Sequence, residues 1–161
     1  RVPEPFAVAA HHTKIFGAMS AFEMGLERCD NVPARYKALG ELRAAMVVGC
    51  EFCVDIGSMI ARRSGLSDDE LKDLLDWRAS ELLDEKDKLV LEYADAISAT
   101  PVDVPDELFE SLRAKFGEEQ LVELTAAIAW ENWRARFNWA FGLGKEGYSE
   151  GAYCVPVVSA N

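Results

Sequence analysis

The chain has 161 residues, half of them hydrophobic, and a formal net charge of −11 at pH 7. That length suffices for one compact core, so we expect a single domain over residues 1–161. The negative charge repels phosphate backbones, and no apolar stretch reaches the ~20 residues that a bilayer requires, so we expect neither a nucleic-acid partner nor a membrane span.

The cysteine count and the N-terminus bear on the cellular compartment. Four cysteines are too few for a secreted disulfide scaffold of this size. Residues 1–12 lack the basic segment followed by an apolar one that a secretory signal needs. We therefore expect a cytoplasmic protein whose initiator end is trimmed.

Helical periodicity dominates the first half of the chain. Apolar residues recur at spacings of three, four or seven between residues 6 and 29, which predicts one helix there. A second helix is predicted from Pro33 to Gly49, and a third continues from there to Ser64-Gly65. Residues 67–70, Ser-Asp-Asp-Glu, have the capping-box pattern and predict a short helix.

The second half is also predicted to be helical. Residues 84–99 form one helix, and the prolines at 101 and 105 end it and open the next, with Phe109, Leu112 and Phe116 on its core side. Gly117 closes that helix, a last long helix covers residues 118–141, and a glycine-rich tail begins at about residue 142. Only residues 153–158 suggest a strand. The sequence therefore predicts an all-α bundle of about six to eight helices.

The residues that promise chemistry are Cys50 and Cys53, a CxxC pair directly after Gly49. Two thiols at this spacing can close a disulfide and be oxidised and reduced repeatedly. On a helix that begins near Gly49 they share one face, and Cys50 is near free backbone N–H groups that favour a thiolate. The absence of a βαβ pattern argues against the thioredoxin fold. Cys29 and Cys154 are expected to be ordinary thiols.

Two other interpretations of the pair remain open. A structural zinc site needs four ligands, and outside the pair the candidates are Cys29, Cys154, His11 and His12, with no second CxxC or HxxxH. The other alternative is a pair of small buried residues at the start of a helix. We favour redox chemistry, with neither a metal nor an organic cofactor.

Residues 42–53 (LRAAMVVGCEFC) resemble the core motif of the alkylhydroperoxidase D and carboxymuconolactone decarboxylase family. Residues 129–138 (AWENWRARFN) are similar to that family's final helix, and the resemblance covers about residues 33–142. It implies an all-helical homo-oligomer, a dimer, trimer or hexamer. In the peroxidase branch the second cysteine attacks a hydroperoxide and the first resolves the sulfenic acid, so the resemblance implies that Cys53 is peroxidatic and Cys50 resolving. It also implies a dithiol reductant protein.

The family's peroxidase branch also uses a proton relay that is missing here. Ala38, Phe52 and Gly57 stand at the positions of its glutamate and two histidines. Another group must then deprotonate a thiol whose ordinary pKa is about 8.5. Glu41, one turn along the same helix from Ala38, is the first candidate, and a solvated helix charge is the alternative.

Four further residues are candidates for proton relay or support. His12 is one of two imidazoles and comes from the first helix. Glu131, Asn132 and Arg136 lie, together with Asn138, among aromatic residues of the last helix, where polar groups usually need partners. One interpretation is that these polar residues form a buried network beneath the cysteine pair or across a subunit interface. A surface histidine and a polar rim of helix packing are the alternatives.

These observations predict a cysteine-based thiol oxidoreductase that reduces a small hydroperoxide or exchanges disulfides through Cys50 and Cys53. One alternative is a ring-opening or decarboxylating lyase, like the family's other branch, that acts on a small lactone or carboxylate. A non-catalytic helical scaffold stabilised by a Cys50–Cys53 disulfide is the other alternative.

Overall fold

Helices account for all the regular structure in the computed structural model, which describes residues 2–158. The helices are α1 (Glu4–Ala9), α2 (Thr13–Glu27), α3 (Ala34–Val48), α4 (Glu51–Arg63), α5 (Asp68–Asp73), α6 (Glu85–Ser98) and α7 (Asp106–Ala140), with a 3₁₀ turn at Leu74–Asp76. No strand occurs within the described residues. The predicted all-α class is confirmed, and none of the seven helices is long and apolar enough to cross a bilayer.

The predicted helix over residues 6–29 is in fact two helices. The backbone leaves α1 after Ala9 and re-enters a helix at Thr13. His12 has an extended backbone and caps α2, because its Nδ1 accepts a hydrogen bond from the N–H of Ile15 at 3.3 Å. Histidine is not among the common capping residues, so apolar periodicity alone did not reveal the break.

The junction between α3 and α4 determines where the cysteine pair lies. Gly49 ends α3 in the left-handed region (φ 84°), where a residue without a Cβ carries little strain. Cys50 then returns to an extended conformation and forms the N-cap of α4, so that Cys53 lies in the first turn of that helix. The pair therefore stands at a helix N-terminus, as the Gly-Cys sequence predicts.

Other predicted boundaries follow local rules. Ser67 and Glu70 form the predicted capping box of α5, and Pro105 precedes α7. Gly117 (φ 73°, ψ 174°) interrupts α7, which agrees with the predicted division into two helical segments. Phe109 was wrongly predicted to be in the core and is 41% exposed. A spacing of four places Leu108, rather than Phe109, on the buried stripe with Leu112 and Phe116.

Helix α3 occupies the centre of the fold and packs against α4, α6 and α7. Its side chains Leu39, Leu42 and Met46 are almost completely buried. Gly40 allows α3 to approach α7 closely, because a Cβ at this position would lie 2.8 Å from Cγ1 of Ile128. Helix α3 thus packs both against α4, which carries the cysteines, and against α7, which carries the polar residues of the site.

The glycine-rich tail packs back onto α4 around the carboxylate of Asp55. Its Oδ2 accepts hydrogen bonds from the backbone N–H groups of residues 146, 147 and 148, and its Oδ1 accepts one from Ser149. Burial raises the pKa of Asp55, but these donors outweigh it and hold the pKa below its usual range. The predicted strand over residues 153–158 is wrong. This segment is irregular, and Val158 donates instead to the carbonyl of Met46.

Candidate functional site

Cys50 and Cys53 form a disulfide at the N-terminus of α4, with their Cα atoms 5.2 Å apart. Both residues are buried, with 2% and 5% of their surfaces exposed. The sulfur of Cys50 also accepts a hydrogen bond from the N–H of Cys53 at 3.1 Å, which caps the helix. Cys29 and Cys154 are free thiols, as predicted.

The amide of Asn138 lies against both sulfurs from α7. Its Nδ2 is 3.3 Å from Sγ of Cys53 and 3.8 Å from Sγ of Cys50, and the residue is 3% exposed. Asn138 was grouped with Glu131, Asn132 and Arg136 as a candidate for a buried network beneath the pair, and it contacts the sulfurs directly. The available signal was its place in the polar and aromatic segment of residues 129–138, where a buried amide needs a partner. Its position under the cysteines is a tertiary contact that spacing does not reveal.

A cavity of about 230 Å³ opens beside Cys53. Cys53 belongs to its wall and Cys50 does not, so the two sulfurs differ in access. Five helices contribute to the wall, and most of its side chains are apolar. These apolar side chains include Phe6, Met19, Leu42, Ile56, Trp133 and Phe137. The rings of Trp133 and Phe137 stack with centroids 5.1 Å apart. The cavity is therefore suited to a small, largely apolar molecule.

The polar part of the cavity wall is centred on the guanidinium of Arg134. It bonds Glu23 on α2 at 3.0 and 3.1 Å, Glu41 on α3 at 3.1 Å and Glu131 on α7 at 2.7 and 2.8 Å. The structure thus brings together two predicted residues, Glu41 and Glu131. Arg134 and Glu23 were not predicted, because charged residues on a helix are usually solvated and these two are 111 positions apart.

Three carboxylates around one guanidinium cannot all be neutralised by it. Burial raises the pKa of Glu131 to about 7, with Arg134 opposing the rise and Glu41 and Glu23 adding to it. Burial also raises the pKa of Glu41, although Arg134 lowers it. Oε1 of Glu131 is buried without a hydrogen-bond partner. A buried carboxyl whose pKa is raised to about 7 can exchange a proton near neutral pH, and Glu131 supplies such a group to this cluster.

At the three positions of the missing relay, Ala38 and Phe52 carry apolar side chains and Gly57 carries no side chain. Ala38 and Gly57 line the cavity. A Cβ at Gly57 would lie 3.1 Å from Cδ1 of Leu42, so a larger side chain there requires Leu42 to move. Phe52 is buried and packs edge-on against the ring of Tyr148. These residues offer no titratable group near Cys53.

The other sequence candidates lie away from the cysteines. His12 is exposed at the N-cap of α2 and is absent from the cavity wall. Asn132 donates to Oγ of Ser98 at 2.9 Å, and Arg136 donates to Oδ1 of Asn132, which ties α7 to the end of α6. The expected network beneath the cysteines is therefore not made by Asn132 and Arg136.

Helical geometry explains why these two candidates miss the site. Each residue turns an α-helix by about 100°. Residues 131, 134 and 138 consequently share one face of α7, whereas residues 132 and 136 lie more than a quarter turn away. Arg136 faces a second, open cavity of about 570 Å³ together with Thr100 and Trp139. Among the described residues, no cluster of His, Cys, Asp or Glu is arranged to hold a metal ion.

Comparison with known proteins yields both a family and a fold. The sequence model of the carboxymuconolactone decarboxylase family matches residues 13–96. The uncharacterised protein YnjA of Escherichia coli K12 is 43% identical over 135 residues, which cover 83% of this chain and 74% of YnjA. The uncharacterised protein YdfG of Bacillus subtilis is 31% identical over 107 residues, which cover 66% of this chain and 73% of YdfG.

Solved structures share the helical arrangement. A protein of unknown function from Agrobacterium tumefaciens, described as a candidate antioxidant defence protein AhpD, aligns with a TM-score of 0.77 at 30% identity, covering 86% of this chain and 94% of its own. The debrominase Bmp8 aligns with a TM-score of 0.83 at 21% identity, covering 91% of this chain and 79% of its own. The latter likeness concerns the fold alone.

Proposed function

Because the chain belongs to the carboxymuconolactone decarboxylase family, we propose that it is a thiol oxidoreductase whose Cys50/Cys53 pair cycles between dithiol and disulfide. The observation that carries the proposal is the placement of the pair at disulfide distance beside a cavity that Cys53 alone of the two lines. The substrate is a small hydroperoxide or disulfide, and a dithiol reductant protein restores the pair.

The chemistry is a two-electron transfer from sulfur to oxygen. The Cys53 thiolate attacks one oxygen of the hydroperoxide, an S–O bond forms, the O–O bond breaks, and the leaving alkoxide takes up a proton to give an alcohol. The Cys50 thiol then attacks the sulfenic acid on Cys53, which forms the disulfide and releases water. A dithiol reductant returns two electrons and two protons, and is itself oxidised to a disulfide.

The different access of the two sulfurs supports the order of attack. A substrate in the cavity meets Cys53, whereas Cys50 is 2% exposed and lies outside the cavity wall. Cys50 is nevertheless close enough to form the disulfide. This arrangement suits an attacking Cys53 and a resolving Cys50.

Glu131 and Glu41 are the proposed proton relay in place of the missing family residues. Both line the same cavity as Cys53 and both bond Arg134. An acid with a pKa near 7 can accept a thiol proton and return it to a leaving alkoxide at neutral pH. Glu131, whose pKa is raised to about 7 by burial, fits this role.

The geometry favours this activity over the two alternatives. An anionic lactone or carboxylate needs a free cation, but the guanidinium in the cavity already bonds three carboxylates. A purely structural disulfide does not require a cavity beside one of its sulfurs. The debrominase among the structural neighbours illustrates that enzymes occur on this fold.

The proposal extends to the organisation of the protein. We propose one domain over residues 1–161 in a cytoplasmic homo-oligomer. Helix α2 supports oligomerisation because Ile15, Phe22 and Met24 are exposed on it, and Met19 is its one buried residue. Light scattering tests this point, and a monomer counts against it.

Stopped-flow oxidation of the reduced protein by cumene hydroperoxide tests the activity. We expect Cys53→Ser to lose the fast reaction and Cys50→Ser to retain it but stop at the sulfenic acid. Cys154→Ser, which removes a free thiol outside the cavity wall, is the matched control and should react as wild type. If Cys53→Ser reacts at the wild-type rate, or if wild type reacts no faster than a free thiol, the proposed function is wrong.

A further inference from the structure

We propose that Asn138 determines which of the two sulfurs carries the thiolate, by donating its amide hydrogens to Cys53. This inference deepens the proposed function and rests on it, since it assumes that Cys53 reacts as a thiolate. It makes Asn138 a catalytic residue, because its amide contacts a reacting atom.

The first step is the hydrogen-bond balance of the buried amide. Nδ2 of Asn138 carries two hydrogens and points at Sγ of Cys53 and Sγ of Cys50. A disulfide sulfur is a weak acceptor, so these hydrogens are poorly satisfied while the disulfide is intact. A thiolate is charged and accepts more strongly. Reduction therefore gives Asn138 a better partner, and Asn138 in turn stabilises the thiolate.

The second step is the competition between the two sulfurs. The backbone N–H of Cys53 donates to Sγ of Cys50 at the N-terminus of α4, which favours a thiolate on Cys50. The cavity, however, reaches Cys53. The Asn138 amide is 0.5 Å nearer to Cys53 (3.3 against 3.8 Å) and is the side-chain donor that the structure places on that sulfur.

The third step is the charge around the pair. The cavity that Cys53 lines also contains the charged side chains Glu23, Glu27, Glu41, Glu131 and Arg134, and the sequence neighbours of the pair on α4 include Glu51 and Asp55. Six of these seven are carboxylic acids, and the one cation among them is bonded to three of the carboxylates. This field opposes a thiolate. A neutral donor that does not titrate is therefore the group that offsets it.

The test separates the two thiols by measuring each alone. Reduced Cys50→Ser contains the Cys53 thiol at the site, and reduced Cys53→Ser contains the Cys50 thiol. Each is combined with Asn138→Leu and with Asn138→Asp, and the thiol pKa is read from the ultraviolet absorbance of the thiolate against pH. Cys29 and Cys154 are replaced by Ser throughout, so that one thiol titrates.

In the Cys50→Ser background we expect Asn138→Leu to raise the thiol pKa by about one, which is a tenfold loss of thiolate at pH 7. Asn138→Asp has the same shape and replaces the donor with an acceptor, so it should raise the pKa further. In the Cys53→Ser background the changes should be clearly smaller. An unchanged pKa with Cys50→Ser, or equal changes in both backgrounds, overturns the inference.

The outcomes distinguish this inference from the proposed function. The pKa measurement needs no hydroperoxide, so the predicted shift without peroxide turnover preserves the role of Asn138 and rejects the oxidoreductase. If turnover depends on Cys53 but the thiol pKa does not shift in the Asn138 variants, the oxidoreductase activity is preserved and the role of Asn138 is rejected. If Asn138→Leu fails to fold by circular dichroism, the near-isosteric Asn138→Asp decides the question by itself.

Discussion

Replacing Glu131 by glutamine is predicted to change how the stability of the protein depends on pH. Burial raises the pKa of the Glu131 carboxyl to about 7, and Oε1 is buried without a hydrogen-bond partner. Glutamine keeps the shape of the side chain and cannot ionise. The variant therefore isolates the free energy of ionising this one group.

The magnitude follows from proton linkage. A glutamate in the unfolded chain titrates near 4.3. Between about pH 4.3 and 7 the folded protein retains a proton that the unfolded chain has released, so the free energy of unfolding falls as pH rises. At about 1.4 kcal/mol per pH unit over the roughly 2.7 units between the two pKa values, the total loss is about 4 kcal/mol. This penalty is absent below pH 4 and complete above about pH 7.

The assay is urea denaturation of the oxidised proteins at pH 5 and pH 8. From pH 5 to pH 8 we expect the stability of Glu131→Gln to increase by about 2–3 kcal/mol relative to wild type. Glu27→Gln is the control, because Glu27 lines the same cavity but is exposed, and Arg134 bonds three other carboxylates. Its difference from wild type is measured at the same two pH values as the reference. A difference between Glu131→Gln and wild type that stays constant with pH refutes the electrostatic account of the cavity.

Four further outcomes are expected. Glu131→Gln should slow oxidation of the reduced protein by about 100-fold at pH 7 in stopped flow, and an unchanged rate excludes it from the relay. Asp55→Asn should lower the free energy of unfolding, measured by urea denaturation at pH 7, by about 2–3 kcal/mol. Because the pKa of Asp55 is lowered in the folded protein, its contribution to stability is lost as pH falls, and the difference between variant and wild type should disappear towards pH 3. Arg134→Met should lower the free energy of unfolding by about 3–5 kcal/mol at pH 8 and by less at pH 5, where the carboxylates take up protons. An equal loss of stability at the two pH values contradicts this prediction. Gly49→Ala should cost about 1–2 kcal/mol by urea denaturation, because of its left-handed backbone.

The predictable parts of the fold are those that local chemistry determines. Gly49, Ser67 and Pro105 mark helix ends through backbone freedom, side-chain capping and a missing N–H. The break before Thr13 escaped prediction because His12 caps α2 with an imidazole nitrogen. Apolar spacing continues across that break, so periodicity could not show it.

The sequence allowed the cysteine pair of the site to be predicted, together with some of the acidic residues that could relay protons. Cys50 and Cys53 are only three positions apart in sequence, and that spacing already indicates that they can form a disulfide. Glu131 could be proposed from its aromatic surroundings, but Arg134, which it bonds, also bonds Glu23 on α2. Asn138 meets Cys53 across 85 positions of sequence. Such contacts depend on how α2, α4 and α7 pack, which no local pattern encodes.

Trapping of the sulfenic acid tests the central claim most directly. Reduced Cys50→Ser is treated with one equivalent of cumene hydroperoxide in the presence of dimedone, and the modified cysteine is located by peptide mass spectrometry. We predict one adduct, on Cys53, with Cys29 and Cys154 unmodified. An adduct that forms equally well on Cys50 in the Cys53→Ser protein, or the absence of any adduct on Cys53, contradicts the assignment of Cys53 as the attacking thiol.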